Sequence, residues 1–285
     1  MSDFARPDVL VSTDWLEEHL DDPGVRPIEV DEDTTAYENG HIRGAVAWNW
    51  NTDLHSDVGR DYRDQAGFSE LLSDAGVGPD TTVVLYGGNN NWFAAYAYWL
   101  LKLRGFDKVT LLDGGRKKWE LESRELTQDD PSPRPTGFRI EGAERPEIRA
   151  LRDEVLEKVG SGTGFVDVRS PEEFRGEKLA PDHLPQEQAQ VPGHIAGAAN
   201  IPWAKAANDD GTFKSADELR ALYAAEGITG EDEVIAYCRI GERSSHSWFV
   251  LSQLLGFPKV RNYDGSWTEW GSVIGAPIDN PAAAK

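Results

Sequence analysis

The sequence contains very little sulfur. Its 285 residues include a single cysteine, Cys238, and a single methionine. A chain with one cysteine cannot close an internal disulfide, and it cannot supply the several thiolates of a cysteine-based metal centre. We therefore expect no disulfide and no metal. Cys238 must act, if it is functional, as a lone thiol.

Long apolar runs are absent as well. No stretch reaches 18 apolar residues, and residues 1–11 carry charges where an apolar segment could stand. A membrane-spanning helix needs about 20 predominantly apolar residues, and a secretory signal needs a short apolar core. We therefore expect a cytoplasmic protein that has no membrane partner.

Basic residues are scarce. The chain has 29 Lys and Arg against 50 Asp and Glu, which gives a formal net charge of −21. Such a charge balance argues against nucleic acid and anionic membranes as partners. A small anion would need a local group of cations to bind. Apolar residues make up 39% of the chain, enough for globular cores, and the length predicts about two domains.

The residues around Cys238 form such a local group of cations. An apolar stretch, Val234–Tyr237, predicts a strand that ends at the cysteine. Arg239 and Arg243 flank the thiol, and Gly241 lets the backbone curl so that N–H groups converge on an anion. Nearby cations lower the pKa of a thiol. The pattern therefore predicts that Cys238 is a thiolate near neutral pH.

A helical pattern over residues 245–255 follows this turn. Ser244 and Ser245 are candidate N-cap residues of that helix, whose N-terminus adds partial positive charge beside the thiol. A lone cysteine at a strand end is more often a small buried apolar residue. The arginines, the glycine and the serines close to Cys238 favour the reactive interpretation.

The second half of the chain repeats the first. Leu112-Asp113-Gly114 with Trp119 recurs as Tyr263-Asp264-Gly265 with Trp270, and residues 86–109 align with 237–260 without a gap. Upstream, residues 40–45 match 193–198, and residues 28–31 resemble 166–169. A period of this length indicates a duplicated domain rather than a solenoid.

Each half has the same predicted order of elements. Strands over 28–30, 82–86 and 109–112 in the first half correspond to strands over 165–168, 234–237 and 260–263 in the second. Helices are predicted between them, and this alternation is typical of an α/β fold with a mostly parallel sheet flanked by helices. Ligands of such sheets lie at the carboxyl ends of the strands, which is where Cys238 stands.

The proline-rich segment 129–135 predicts a linker. We expect a first domain over residues 1–127, a linker over 128–145 and a second domain over 146–285, with an inserted surface loop over 176–191. Gly87 occupies the position of Cys238 in the first half, so that half is predicted to be inactive. His41, His194, Asp113 and Asp264 occur in both halves, which favours structural roles for them.

The loop Cys-Arg-Ile-Gly-Glu-Arg over 238–243, the two Gly-His-Ile motifs and the duplicated arrangement resemble the two-domain rhodaneses, which are thiosulfate sulfurtransferases. The resemblance covers nearly the whole chain and implies two tandem rhodanese-like domains. It also implies that Cys238 takes the outer sulfur of thiosulfate as a persulfide and passes it to cyanide or a thiol. No organic cofactor is implied.

The resemblance assigns further roles in the site. Arg239 and Arg243 would bind the sulfonate-like end of the donor, and Arg169 would be a substrate-binding cation. The backbone of the loop, with Ile240, Gly241 and Glu242, would surround the persulfide. Glu242 could pair with an arginine or face solvent, and the sequence does not choose between these arrangements.

Three alternatives remain at this point. Vertebrate members specific for thiosulfate have a lysine where this chain has Ile240, so 3-mercaptopyruvate is a second candidate donor. A persulfide carrier or sensor without thiosulfate turnover would have the same motifs. A cysteine phosphatase or arsenate reductase needs a Cys-x5-Arg loop, and the shorter Cys-x4-Arg spacing from Cys238 to Arg243 argues against it.

Overall fold

A computed structural model describes residues 3–180 and 188–284. The chain divides into two compact units. The first unit comprises Pro7–Pro146 with Ala207–Phe213, and the second comprises Met1–Arg6, Glu147–Ala206 and Lys214–Lys285. Each unit therefore includes a short piece from the other half of the sequence. The predicted inserted loop over 176–191 falls partly on residues 181–187, which lie outside the described residues.

The first unit is built on a parallel sheet flanked by helices. Its described strands lie in the order β1-β5-β4-β2-β3, and every pair is parallel. The strands are β1 (Leu10–Val11), β2 (Val25–Asp31), β3 (Val46–Asn49), β4 (Thr82–Tyr86) and β5 (Val109–Leu112). The helices are α1 (Thr13–Glu18), α2 (Thr35–Asn39), α3 (Gln65–Asp74), α4 (Gly88–Leu103) and α5 (Gly115–Leu121).

The second unit repeats this sheet, with its described strands in the equivalent order β6-β11-β10-β7-β9. The strands are β6 (Arg149–Ala150), β7 (Gly164–Asp167), β8 (His194–Ile195), β9 (Ala199–Asn200), β10 (Val234–Tyr237), β11 (Val260–Tyr263) and β12 (Ile278–Asp279). The helices are α6 (Arg152–Lys158), α7 (Pro171–Phe174), α8 (Ala216–Ala224), α9 (Glu242–Phe249) and α10 (Ser266–Trp270). Strands β8 and β12 form a separate antiparallel pair.

The central strands are apolar along their length because helices cover both faces of a parallel sheet. All four residues of β10 are buried, as are the last four of β4. Each unit has its own core cluster, in which Trp119 lies in the first unit and Trp267 and Trp270 in the second. The predicted α/β class is confirmed, and the bounds predicted for β4, β5, β10 and β11 agree with the structure.

The helix predicted over 245–255 differs from the structure in its bounds and its type. Helix α9 begins earlier, at Glu242, and after Phe249 the chain continues as π-helix over Val250–Leu254. The Leu255 N–H donates to the Val250 carbonyl, five residues back. A π segment inside an apolar helix is not visible in the hydrophobic pattern, so the sequence could not predict it.

The histidines of the two Gly-His-Ile motifs have matching structural roles. His41 Nδ1 donates to the Tyr37 carbonyl at 2.9 Å and its ring stacks on the Tyr37 ring. His194 Nδ1 donates to the Phe174 carbonyl at 2.7 Å and stacks on the Phe174 ring. Each histidine thus joins the preceding short helix to the loop, in agreement with the predicted structural role.

Asp113 gives a pH-dependent contribution to the stability of the first unit. Its carboxylate accepts a hydrogen bond from the Phe213 N–H at 3.0 Å, and burial raises the pKa of Asp113 to about 6. The pKa of an unfolded aspartate is about 3.9, so the folded state binds the extra proton between the two values. The stabilising contribution of Asp113 therefore falls as the pH rises from about 4 to about 6.

We expect Asp113→Asn to remove the loss of stability between about pH 4 and pH 6, because the amide oxygen can still accept the Phe213 N–H without a buried charge. Urea unfolding of wild type and variant should give a midpoint difference that shifts in favour of the variant between pH 4 and pH 7. Other carboxyl groups titrate in both proteins and cancel in the difference. A difference that stays constant with pH would contradict the assignment.

Within residues 3–180 and 188–284, no helix combines the length and the apolar character needed to cross a membrane.

Candidate active site

Cys238 lies at the carboxyl end of β10, the central strand of the second unit. The preceding residue, Tyr237, is in register with Asp167 on one neighbouring strand and with Tyr263 on the other. The Cys238 N–H donates to Ser266 Oγ at 3.1 Å, and its carbonyl accepts from the Trp267 N–H at 3.0 Å. The sheet and α10 therefore fix the backbone from which the thiol projects.

Gly241 turns the loop back toward the thiol. Its φ of +99° lies in the left-handed region, and its N–H donates to Cys238 Sγ at 3.1 Å. A Cβ at this position would lie 2.7 Å from the Asp264 Cα. Both the backbone angle and the close approach of the Asp264 backbone therefore require glycine. The prediction of a backbone N–H that points at the sulfur agrees with this geometry.

The predicted N-caps are wrong. Gly241, not Ser244 or Ser245, is the N-cap of α9. Both serine hydroxyls donate to the Gly241 carbonyl, at 3.0 and 2.9 Å, and Asn262 Nδ2 donates to the same oxygen at 3.0 Å. The serines thus belong to a buried network that holds the glycine. Asn262 is a fully buried amide in β11, and a polar residue at that buried position was the missed signal.

The thiol of Cys238 is fully buried and lies beside a carboxylate. Cys238 Sγ donates to Glu242 Oε2 at 3.5 Å, and Glu242 is only 2% exposed. Burial raises the pKa of Cys238, and the negative charge of Glu242 raises it further, while Arg243 acts in the opposite direction. Burial also raises the pKa of Glu242.

These pKa directions correct the prediction that Cys238 is a thiolate near neutral pH. The sequence showed the arginines but not the removal of the thiol from water, which disfavours the charged form. The sequence did not decide whether Glu242 pairs with an arginine or faces solvent. In the structure, Glu242 faces the thiol.

The two arginines of the loop are both buried. Arg243 forms two hydrogen bonds with Glu173 of α7, at 3.0 and 3.1 Å. Burial acts to raise the pKa of Glu173, but the charge and hydrogen bonds of Arg243, together with the charge of Arg169 and the Ser170 N–H, outweigh burial, and the pKa is lowered. Glu173 was not predicted, although the sequence Ser-Pro-Glu-Glu over 170–173 is the signal of a capped helix start, which the structure contains.

The other members of the loop provide its walls. The Arg239 carbonyl accepts hydrogen bonds from the N–H and the hydroxyl of Thr268, at 3.0 and 2.9 Å. Ile240 is half-buried and follows it at the tip of the turn. Arg239, Ile240 and Arg243 therefore belong to the one loop that follows the thiol.

Arg169 is held by a carboxylate at the end of the neighbouring strand. Its guanidinium forms several hydrogen bonds with Asp167, donates to the Gly193 carbonyl at 2.7 Å and lies 4.7 Å from the Trp267 ring centroid. Both members of the pair are fully buried. A charged pair in this setting stabilises the fold only as long as both partners are present.

The first unit contains an equivalent guanidinium with equivalent partners, but the arginine that supplies it stands at a different position in the sequence. Arg116 of α5 pairs with Glu29, the counterpart of Asp167, at 2.8 Å. It also donates to the carbonyl of Gly40, the counterpart of Gly193, at 2.6 Å. The first unit has no thiol, so this arrangement exists without sulfur chemistry. The parallel favours a structural role for Arg169.

The loop of the first unit has no room for a cysteine. A Cβ on Gly87, the counterpart of Cys238, would lie 2.4 Å from the Val30 carbonyl oxygen. Asn91, the counterpart of Glu242, is buried, accepts the Gly87 N–H at 3.1 Å and donates to the Leu112 carbonyl at 2.6 Å. The side chain of Asn91 therefore joins the loop to the sheet. The second unit has a thiol and a carboxylic acid at the positions that Gly87 and Asn91 occupy in the first.

Known proteins resemble this chain over nearly its whole length. A protein of Mycolicibacterium smegmatis named "Putative thiosulfate sulfurtransferase" is 60% identical over 276 residues, which are 97% of this chain and 99% of that protein. The sulfur carrier protein TtuD of Thermus thermophilus is 55% identical over 279 residues, 96% and 98% of the two chains.

A solved structure has the same architecture. It is a variant of EanB with a cysteine persulfide, in a tetrahedral intermediate state with ergothioneine. It matches with a TM-score of 0.83 and 25% identity, covering 98% of this chain and 72% of that chain. A family model described as a rhodanese-like domain matches residues 12–122 and, again, residues 151–272. The chain belongs to the rhodanese-like family, with two such domains in tandem.

Proposed function

We propose that this protein is a thiosulfate sulfurtransferase in which Cys238 carries sulfane sulfur as a persulfide. The observation that carries the proposal is the loop over 238–243, in which the Gly241 N–H points at the sulfur from 3.1 Å. A preorganised donor of this kind stabilises negative charge on sulfur without reorganisation during the reaction. The names of the relatives, and the persulfide on EanB, support the same chemistry.

The reaction has two displacements at sulfur. The Cys238 sulfur forms a bond to the outer sulfur of thiosulfate, the sulfur–sulfur bond of the donor breaks, and sulfite leaves with the electron pair. A thiol or cyanide then attacks the outer sulfur of the persulfide, and the electron pair returns to Cys238. Covalent catalysis of this type divides one difficult transfer into two easier steps.

The roles of the surrounding residues follow from their positions. Arg239 and Arg243 supply the positive charge of the loop for an anionic donor, while Glu173 orients the guanidinium of Arg243. Ile240 and Gly241 form the wall and the turn. We assign Arg169 to the support of the strand ends rather than to the donor, because its counterpart Arg116 has the same contacts in a unit without a thiol.

Intact mass measurement tests the proposal directly. Wild type incubated with thiosulfate should gain one sulfur atom, roughly 32 Da, and later addition of cyanide should remove it with formation of thiocyanate. Cys238→Ser is the control, because it keeps the size of the side chain and lacks the nucleophile. A wild type that gains no mass, or a serine variant that gains the same mass, would refute the mechanism.

The identity of the sulfur donor and the fate of the transferred sulfur are tested by separate measurements. Loading rates with 3-mercaptopyruvate and thiosulfate, measured side by side, decide the donor, and we expect thiosulfate to be faster because two arginines favour an inorganic dianion. A sulfur carrier is a second candidate, supported by the likeness to TtuD. A carrier would take up one sulfur but release no thiocyanate over repeated turnovers with free cyanide.

A further inference from the structure

Glu242 is a buried acid that the sulfur chemistry described so far does not use. It is the first residue of α9, four residues after Cys238, and its Oε2 accepts the hydrogen bond of the thiol at 3.5 Å. A carboxylate with 2% exposure is expensive to keep beside a buried thiol. Its position suggests that the acid has a task there.

The duplicated sequence supplies the comparison. The position of Glu242 is occupied in the first unit by Asn91, an amide that holds the Gly87 N–H and the Leu112 carbonyl. An amide therefore satisfies the structural needs of this position when no thiol is present. The acid occurs in the unit that has the thiol, and an acid differs from an amide in its ability to take a proton.

The charge around the pair favours one shared proton. The charged groups around Cys238 and Glu242 are Arg239 and Arg243 of the loop, Glu173 of α7, Arg169 after β7 and Asp264 after β11. Arg243 and Glu173 are paired with each other, Arg169 is paired with Asp167, and Asp264 is paired with Arg149. A second negative charge on Cys238 and Glu242 together would be opposed by burial, and burial raises the pKa of both groups.

We propose that Glu242 is a catalytic residue of the sulfur transfer, and that its carboxylate takes the proton of Cys238 as the thiol becomes the nucleophile. The proposal rests on the persulfide function above. The S–H bond of Cys238 breaks, its electron pair stays on sulfur, and the proton forms an O–H bond on Glu242. The thiolate then attacks the outer sulfur of the donor and sulfite leaves with the electron pair.

Proton transfer inside the pair leaves the total charge of the site unchanged. The negative charge moves from the Glu242 carboxylate to the sulfur, where the Gly241 N–H already points. When an acceptor removes the outer sulfur, the thiolate is restored, and the proton can return to it from Glu242.

This mechanism gives a characteristic pH profile. A pair that shares one proton contains the reactive tautomer in a constant proportion, so the loading rate should be flat with pH near neutrality. Without the acid the thiol must lose its proton to water. The rate should then rise about tenfold per pH unit until the pH reaches the pKa of the thiol.

The test compares sulfur loading in wild type and in Glu242→Gln, measured by rapid quench and intact mass between about pH 6 and pH 8. We expect a flat profile for wild type and a rising one for the variant, with a rate at least tenfold lower at about pH 6. Glu242→Asp should recover part of the flat region. Glu172→Gln, the same change at an exposed neighbour on α7, should behave as wild type. A flat profile for Glu242→Gln would overturn the proposal.

Two further arms keep the result interpretable. If Glu242→Gln fails to fold by circular dichroism, Glu242→Asn replaces it, since the first unit folds with an amide at this position. If wild type takes no sulfur from thiosulfate, the proposed function fails, and alkylation of Cys238 by iodoacetamide tests the proton acceptor alone. Alkylation should show the same flat and rising profiles, and identical profiles for wild type and variant would overturn the role of Glu242.

Discussion

Replacing Gly241 by alanine should abolish most of the sulfur loading and destabilise the second unit. An L-residue at a φ of +99° costs about 1–2 kcal/mol, and the added Cβ would lie 2.7 Å from the Asp264 Cα. Overpacking against backbone adds about 1–3 kcal/mol, for a total of roughly 2–5 kcal/mol. The turn must open to relieve the contact, and the N–H then leaves the sulfur. The loss of one such donor reduces rates by about 100-fold to 1000-fold.

Gly197→Ala is the matched control. Gly197 belongs to the same unit and has a φ of +78°, but a Cβ on it would have no atom within 4 Å. It should therefore show the backbone cost alone, about 1–2 kcal/mol, with nearly unchanged loading. Urea unfolding and mass-detected loading measure the two effects. Equal behaviour of the two alanine variants would mean that contact with Asp264 and the aim of the N–H are unimportant.

Arg169→Met should unfold or strongly destabilise the second unit, by about 3–5 kcal/mol, because it leaves Asp167 buried without its partner. The side chains of Arg169 and Asp167 are both fully buried, so the carboxylate has no contact with bulk solvent to offset the loss. Methionine keeps much of the volume against the Trp267 ring. The loss is therefore assigned to the charge and its hydrogen bonds rather than to a cavity.

A second variant separates this role from donor binding. Arg169→Met combined with Asp167→Asn removes both charges and should recover much of the stability, measured as the urea midpoint. If the double variant is stable, its KM for thiosulfate can be measured, and we expect it to change little. A single variant of normal stability with a raised KM would instead support the substrate role that the family resemblance implies.

The sheet of each unit was predictable because its central strands are continuous apolar runs between turns. Residues 83–86 and 234–237 are buried, so the bounds of their strands could be read from composition alone. The location of Cys238 was predictable for the same reason, since a strand of known end places the next residue at the carboxyl edge. The duplication supplied the correspondence of Gly87 with Cys238.

The electrostatics of the site could not be predicted from the local sequence. The bond between Arg243 and Glu173 joins residues 70 positions apart, so the arginine could not be recognised as already paired. The pKa of Cys238 depends on burial and on the side-chain direction of Glu242, which are tertiary properties. The N-cap prediction failed because Gly241 adopts a left-handed angle that places both serines one turn inside the helix.

The buried guanidinium of each unit has a consequence for chimeric proteins. In the first unit it is supplied by Arg116 on a helix, and in the second by Arg169 beside a strand. Grafting residues 166–169 onto positions 28–31 would bring two guanidinium groups to one carboxylate, and the reverse graft would leave a carboxylate with none. The two units therefore share the position of a positive charge in the fold, although the residues that supply this charge do not align in the sequence. Segments can be exchanged between them only in compensating pairs.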